Sequence, residues 1–125
     1  ALKAGPDMLG FFEGAIARCE AEGLSRDHII LDPGVGFAKT YEQNFEVLAA
    51  TGDLVSLGLP VLIGVSRKSF IGKRLGIEAA AERDAASVAI GLDTVRRGAH
   101  MLRVHEVAAH RQAIELWETI DHAAH

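Results

Sequence analysis

The sequence predicts an α/β fold built from βα units, and three observations support this prediction. Three short apolar segments that are typical of strands begin near residues 29, 61 and 100, and each precedes a helical pattern. Their repeat of about 32 to 39 residues is close to the roughly 31 expected when about 250 residues form eight barrel units. Residues 61–65 carry no polar side chain, as expected for a strand covered by helices on both faces. We therefore expect part of a βα barrel.

The first predicted element is a helix from about residue 7 to residue 22, which Gly23 ends. Its apolar stripe has helical spacing and consists of Met8, Phe11, Phe12, Ala15, Ile16 and Cys19. Residues 29–31, three consecutive aliphatic side chains, follow as a short strand.

The second predicted helix begins at a capping box, in which Thr40 is followed three residues later by Gln43. Tyr41, Phe45 and Leu48 share one face of this helix. We expect the pair Thr51-Gly52 to end it.

The remaining elements alternate in the same way. The second strand is predicted at residues 61–65, a helix at about 81–97 and the third strand at 100–104, with Gly98 ending the helix before that strand. A last helix is predicted at residues 107–120. The side chains expected to face inward on the two helices are Val88, Leu92, Val95, Ile114 and Trp117.

Composition limits the classes of function. The chain has 125 residues, of which 49% are hydrophobic and 24% charged, as in an ordinary globular domain, and no linker interrupts the single unit 1–125. The net charge of −4 gives no general attraction to nucleic acid or to anionic membranes. No apolar run approaches the roughly 20 residues of a membrane span. The lone Cys19 permits no internal disulfide, which favours a cytoplasmic location.

The number of predicted units raises a question of completeness. Three βα units and a leading helix cannot close a barrel, which needs eight. The sheet is therefore either open and doubly wound or part of a longer chain. We favour the second explanation, because an open edge on so hydrophobic a strand would invite unwanted pairing.

Asp32 is the first candidate binding residue, because it follows the strand at 29–31 and precedes Pro33. A carboxylate held there can accept a pair of N–H donors from a heterocycle. The alternative is a turn aspartate that bonds its own backbone, as Asp-Pro-Gly sequences often do. Gly34 and Gly36 would let the following loop approach a ligand closely.

Lys68 is the second candidate, and it follows the next strand beside Ser66. The lysine could donate to a ring carbonyl or an anion, although a lysine after a strand is more often solvated surface. The Ser66 hydroxyl is expected to cap the following helix, whose N-terminus would favour a carboxylate or phosphate.

Arg103 and His105 form the third candidate. They are two residues apart in an extended segment, so both are expected to project to one side and together hold a phosphate group. The alternative is a structural pair between Arg103 and Glu106. The other histidines lack metal-ligand spacing and are interpreted as surface or helix-end residues, namely His28, His100, His110, His122 and His125.

Three ordered motifs resemble dihydropteroate synthase. They read ILDPGVGFAK at residues 30–39, GVSRKSFIG at 64–72 and LRVHEV at 102–107. The resemblance covers essentially the whole chain but only the C-terminal half of that family's (βα)8 TIM barrel, its last three strands and the helix before them. One departure is Glu106, where the family usually has aspartate.

The resemblance implies a transferase of folate biosynthesis. The family joins 6-hydroxymethyl-7,8-dihydropterin diphosphate to p-aminobenzoate, and sulfonamides compete for the p-aminobenzoate site. By this likeness Asp32 would bind the 2-amino and ring N–H edge of the pterin and Lys68 its ring acceptors. Arg103 would lie against the pterin and hold the diphosphate with His105. Gly36, Phe37 and Ser66 would complete the substrate site, the last two beside p-aminobenzoate.

The resemblance also implies what other parts of such an enzyme supply. The family's N-terminal strands carry a second pterin aspartate and the asparagine associated with Mg²⁺, so no metal ligand is expected here and the chain alone is expected to be inactive. A homodimer through the later helices is implied as well. Two other readings stay open, a methyltetrahydrofolate-binding pterin domain and a noncatalytic half-barrel or dimerisation unit.

Overall fold

The computed structural model describes residues 4–36, 39–66 and 68–125, and within these ranges helices dominate a small parallel sheet. The α-helices are α1 (Ala4–Ala21), α2 (Tyr41–Ala49), α3 (Thr51–Val55), α4 (Ser69–Leu75), α5 (Asp84–Arg96) and α6 (Val107–Ala124). The strands are β1 (Leu62–Gly64) and β2 (Met101–Arg103), and single 3₁₀ turns lie at Arg26–His28 and Ala80–Arg83. This is the expected α/β arrangement.

The sheet is parallel and brings three chain segments side by side. In β1 and β2, Leu62 pairs with Met101 and Gly64 with Arg103. On the other side of β1, Leu31 forms a parallel bridge to Val61. Because both pairings are parallel, the carboxyl ends of all three segments lie at the same edge of the sheet.

The predicted strand at residues 29–31 is wrong in length. The backbone N–H of Ile29 bonds back to the 3₁₀ turn, at 3.2 Å from the carbonyl oxygen of Arg26. The turn at Asp32 and Pro33 begins directly after Leu31, so ladder bonds form only at Leu31, whose N–H and C=O bond Pro60 and Leu62 at 2.8 Å each.

Two helix predictions also need correction. Thr51 does not end a helix but begins α3, because its hydroxyl donates to the carbonyl of Leu48 at 2.7 Å and the extra turn buries Leu54 completely. The helix expected directly after Ser66 is the seven-residue α4, which begins only at Ser69. It buries Phe70 and Ile71 and ends at Gly76, which has a φ of 74°.

The inward face of α5 is shifted by one residue from the prediction. Its buried residues are Ser87, Gly91 and Thr94, whereas the predicted Val88, Leu92 and Val95 are half-buried. At Gly91 a side chain is excluded because α6 packs closely, and a Cβ there would lie 2.9 Å from Cδ2 of His110. On α6 itself, Ile114 and Trp117 are half-buried.

The core lies between the sheet and helices α1 to α4. Val61, Ile63 and Val65 are fully buried at its centre, which agrees with the apolar pattern of this segment. Of the predicted stripe on α1, Met8 and Ile16 are buried but Phe11 is 63% exposed. None of the helices in the described ranges is both long and apolar enough to span a membrane.

Candidate active site

Asp32 lies where the first extended segment ends, and both of its carboxylate oxygens are engaged. Oδ1 accepts the backbone N–H of Gly34 at 2.9 Å, which is the turn bond proposed as the alternative for this residue. Oδ2 accepts from Nη1 of Arg103 at 3.1 Å. The aspartate therefore has a structural bond on one oxygen and faces the other strand ends with the second.

Arg103 lies at the end of β2, and its guanidinium passes over the neighbouring strand. A Cβ at Gly64, its partner in the sheet register, would overlap Nη2 and lie 3.0 Å from Cζ. The absence of a side chain at residue 64 is therefore what lets the guanidinium cross β1 and reach Asp32. The structure pairs Arg103 with this aspartate, 71 positions away in the sequence.

Lys68 joins these two charges. Its side-chain stem packs on the loop at Gly36, where an added Cβ would lie 2.9 Å from Cδ of the lysine, and Gly36 has a φ of 88°. Burial lowers the pKa of Lys68, and the Arg103 guanidinium lowers it further, while Asp32 opposes both effects. An ammonium, a guanidinium and a carboxylate thus form one cluster at the strand ends.

Ser66 and His105 form a second contact at the same edge. Ser66 Oγ lies 2.7 Å from Nδ1 of His105 and accepts the backbone N–H of His105 at 2.9 Å. The prediction that Ser66 caps the next helix is wrong. α4 begins after Lys68, whose side chain makes no capping bond, and the nearly buried serine hydroxyl is used across the sheet instead.

These groups surround a small cavity of about 220 Å³. Its lining residues are Gly64, Ser66, Lys68, Arg103, Val104 and His105. Asp32 lines an adjoining cleft of about 410 Å³ together with Gly34 and the start of α1, and Gly36 lines a third of about 320 Å³. A larger cavity of about 520 Å³ lies between β2 and α6. Of the three charged residues in the cluster, Arg103 lines it and Asp32 and Lys68 do not. The smaller cavities carry the converging polar groups expected of a binding site.

The structure therefore brings together most of the residues singled out from the sequence. Asp32, Lys68, Arg103 and His105 meet at one edge of the sheet, with Ser66 beneath His105 and Gly36 beside Lys68. Phe37 lies outside the described residues.

Asn44 is a supporting residue that the sequence analysis missed. Its side chain is 3% exposed, Oδ1 accepts the backbone N–H of Gly36 at 2.7 Å, and Nδ2 donates to the carbonyl of Thr40 at 3.0 Å. Asn44 therefore connects the loop that packs on Lys68 with the capped start of α2. The sequence did contain a signal for this role. The capping box fixes the start of α2, and from that start Asn44 is a polar residue on the apolar face of the helix.

Comparison with known proteins identifies the family of this chain. Residues 3–105 match the family of pterin binding enzymes. The chain belongs to that family. Among curated relatives, the dihydropteroate synthase of Neisseria meningitidis serogroup B is 42% identical over 117 residues, covering 91% of this chain and 41% of the relative. That of Escherichia coli K12 is 38% identical over 108 residues, covering 86% and 38%.

Solved structures from this family also resemble the chain. Dihydropteroate synthase of Xanthomonas albilineans with 4-aminobenzoic acid superposes with a TM-score of 0.93 at 37% identity, covering 97% of this chain and 46% of the other. The same values hold for its complex with 7,8-dihydropteroate. The chain thus spans less than half the length of these relatives.

The described residues of this family member include no cluster of potential metal ligands. Across residues 4–36, 39–66 and 68–125, no group of three or more His, Cys, Asp or Glu side chains is placed to hold a metal ion. At the charged cluster, Asp32 is the carboxylate, and both of its oxygens already accept hydrogen bonds.

Proposed function

We propose that this chain supplies part of the active site of a dihydropteroate synthase. The single observation that carries the proposal is the meeting of Asp32, Lys68, Arg103 and His105 at the ends of three adjacent parallel segments. A carboxylate beside three nitrogen donors suits a substrate that is a heterocycle at one end and a diphosphate at the other. The similarity to dihydropteroate synthases over about 90% of the chain supports the same assignment.

The fold proposed for the whole enzyme is a (βα)8 barrel, with residues 1–125 forming a partial barrel domain. Two features support this. The three strand segments are parallel and lie in chain order, and the similar structure from Xanthomonas albilineans is more than twice as long as this chain. In such a barrel the ligand site lies at the carboxyl ends of the strands, where the charged cluster is found.

In this proposal the pterin binds between Asp32 and Lys68. The carboxylate accepts the 2-amino and ring N–H groups, and the lysine donates to ring acceptors. Binding requires Oδ2 of Asp32 to exchange its bond to Arg103 for one to the pterin, while the bond from Gly34 to Oδ1 keeps the carboxylate oriented. The freed guanidinium then lies against the pterin and reaches the diphosphate. Gly36, Phe37 and Ser66 complete the substrate site on the p-aminobenzoate side.

The chemistry follows from these positions. The amine nitrogen of p-aminobenzoate forms a bond to the pterin methylene carbon as the carbon–oxygen bond to diphosphate breaks, and the electron pair of that bond leaves on diphosphate. The amine proton is lost to water. Arg103 and His105 donate hydrogen bonds to the oxygens on which negative charge develops, and such placed donors stabilise a transition state. An aniline-like amine needs no strong base, which is consistent with the residue types present.

Three further parts of the proposal concern other components. Mg²⁺, when bound, would neutralise diphosphate charge, and its ligands would come from outside the described residues, which offer no suitable set. The later helices would form a homodimer contact. A cytoplasmic location is favoured by the single cysteine.

Calorimetry with 6-hydroxymethylpterin diphosphate tests the proposal. The chain is expected to bind it, and Arg103→Ala is expected to weaken binding by about tenfold or more, because a charge-assisted hydrogen bond to an anion is lost. Arg96→Ala, on the exposed side of α5, is the matched control and should bind as the unaltered chain does. Binding of the pterin that is unaffected by removing either the diphosphate or Arg103 would contradict the synthase assignment and favour a methyltetrahydrofolate-type domain.

A further inference from the structure

The contact between Ser66 and His105 bears on which ring nitrogen of the histidine carries the proton. The two residues lie 39 positions apart, one after β1 and the other after β2, and Ser66 is only 8% exposed. The serine oxygen makes two contacts, one with the backbone N–H of His105 at 2.9 Å and one with ring atom Nδ1 at 2.7 Å. Both therefore involve the same histidine.

The proton positions follow from counting donors and acceptors. A serine hydroxyl has one proton and two lone pairs, and one lone pair accepts the backbone N–H. In the described part of the chain, Nδ1 of His105 is the acceptor within reach of the hydroxyl proton. If Nδ1 carried its own proton instead, the O–H of a nearly buried serine would lack an acceptor, which is unfavourable. The hydroxyl therefore donates to Nδ1, and the ring proton lies on Nε2.

We propose that Ser66 is a positioning residue that holds neutral His105 in the Nε2–H tautomer, with this N–H directed to an anionic ligand. The inference deepens the proposed function, on which its ligand rests. His105 lines the cavity of about 220 Å³ together with Arg103 and Lys68. Because Nδ1 is engaged by Ser66, Nε2 is the ring atom left for a ligand, and a ligand with phosphate oxygens needs a donor there. A ring held in the other tautomer would present a lone pair to the anion and repel it.

Nitrogen-detected NMR on the chain itself tests the tautomer without any ligand. With ¹⁵N-labelled histidine at a pH where imidazoles are neutral, two-bond correlations distinguish a protonated Nε2 from a protonated Nδ1. His105→Asn assigns the signal. The chain contains its own reference, because Nδ1 of His110 lies 2.7 Å from the carbonyl oxygen of Glu106 and must carry the proton there. His105 and His110 are therefore expected to show opposite patterns.

Two variants separate positioning from general structure. In Ser66→Ala the ring is released, so the two nitrogen shifts of His105 are expected to move toward each other as the tautomers exchange, while those of His110 stay unchanged. Ser66→Thr keeps the hydroxyl and should restore the original pattern. A proton on Nδ1 of His105 in the unaltered chain, or unchanged nitrogen shifts in Ser66→Ala, would overturn the inference.

Binding of inorganic pyrophosphate connects the tautomer to the ligand. Ser66→Ala is expected to weaken pyrophosphate binding by about three- to tenfold, the effect of one hydrogen bond. Ser56→Ala, which removes an exposed hydroxyl bonded to the carbonyl of Asp53, is the control and should have no effect. Equal affinity of the Ser66→Ala and unaltered chains would contradict the positioning role. An unaltered chain with the expected tautomer but no pyrophosphate binding would support the role of Ser66 and contradict the proposed function.

Discussion

Arg103 donates from Nη1 to Oδ2 of Asp32 at 3.1 Å, so two charges proposed to bind the ligand pair with each other. The pair is partly open to solvent, with side-chain exposures of 54% for the arginine and 36% for the aspartate. An exposed pair of this kind contributes only about 0 to 1 kcal/mol, so a better ligand can replace it. The contact keeps both groups oriented without blocking the site.

Replacing Asp32 with asparagine should separate binding from stability. An asparagine can still accept from Gly34, but it presents an N–H group where the pterin edge also donates, so pterin affinity should fall by about tenfold or more. The free energy of unfolding should change by less than about 1 kcal/mol. Calorimetry with 6-hydroxymethylpterin and urea denaturation measure the two effects.

The matched control for this variant is Asp93→Asn. It breaks a similarly exposed ion pair, between Asp93 and Arg97 at 2.7 Å, which lies away from the charged cluster. Pterin binding that Asp32→Asn and Asp93→Asn leave equally intact would refute the role of Asp32.

The pKa of Lys68 should respond to its two charged neighbours in opposite directions. Arg103→Met removes a repelling charge and should raise this pKa, whereas Asp32→Asn removes an attracting charge and should lower it further. NMR of ¹³C-methylated lysines, with Lys68→Arg for assignment, follows the titration. A Lys68 pKa that is the same in both variants would show that the three groups do not form a cluster.

The lowered pKa of Lys68 also fixes the sign of a pH effect on stability. The unfolded chain has the ordinary lysine value of 10.5, so between the lowered folded value and 10.5 the unfolded state binds more protons. The contribution of Lys68 to the free energy of unfolding therefore rises with pH across that window and is constant and unfavourable below it. Lys68→Met should remove this rise in urea denaturation measured at several alkaline pH values.

Asn44 should stabilise the loop at Gly36 that packs on Lys68. Asn44→Ala removes a buried amide together with its hydrogen bonds to the N–H of Gly36 and the carbonyl of Thr40, so we expect a loss of about 1 to 3 kcal/mol in the free energy of unfolding. Asn44→Asp retains the acceptor for Gly36 and should cost less if that bond dominates. Urea denaturation measures both. A change below about 0.5 kcal/mol for Asn44→Ala would contradict this role.

Two glycine substitutions should have opposite effects on stability. Gly91→Ala places a Cβ 2.9 Å from Cδ2 of His110 and 3.0 Å from Cδ1 of Leu102, and such overpacking costs about 1 to 3 kcal/mol. Gly10→Ala, in α1, meets no heavy atom within 4 Å and should stabilise the chain by about 0.5 to 1 kcal/mol. Thermal unfolding compares them, and a stable Gly91→Ala chain would mean that α5 and α6 pack less closely.

Turnover by the chain alone is expected to be absent or very low. The chain corresponds to 41% of the length of its Neisseria relative, and the resemblance implies that further pterin and Mg²⁺ residues lie in the remainder. Diphosphate release from the pterin diphosphate and p-aminobenzoate measures it, with the Escherichia coli enzyme as the positive control. Turnover near that of the control would show that these residues suffice.

The sequence predicted the elements that follow from local rules. The capping box of Thr40 and Gln43 is present in the structure, because it depends on bonds within one helical turn. The apolar segment at residues 61–65 is buried as expected, and the acidic and basic strand ends meet because parallel strands place their carboxyl ends at one edge.

The features that the sequence did not predict depend on tertiary contacts. The buried face of α5 is shifted to Ser87, Gly91 and Thr94, and at Gly91 His110 on α6 leaves no room for a larger residue. Ser66 bonds His105 rather than the start of α4, a choice that depends on the distance between two strands. Likewise, Asp32 forms the turn bond considered from the sequence with one oxygen, whereas its ion pair with Arg103, 71 positions away, was not foreseen.

The missing side chain at Gly64 has a consequence for how this protein tolerates change. A strand position beside buried aliphatics would usually accept valine or alanine, yet any Cβ there would push the guanidinium of Arg103 aside. In a library of all substitutions at residue 64, most variants should therefore be expressed and folded but should bind anions weakly. The same variants should pass a selection for protein abundance and fail a selection for anion binding.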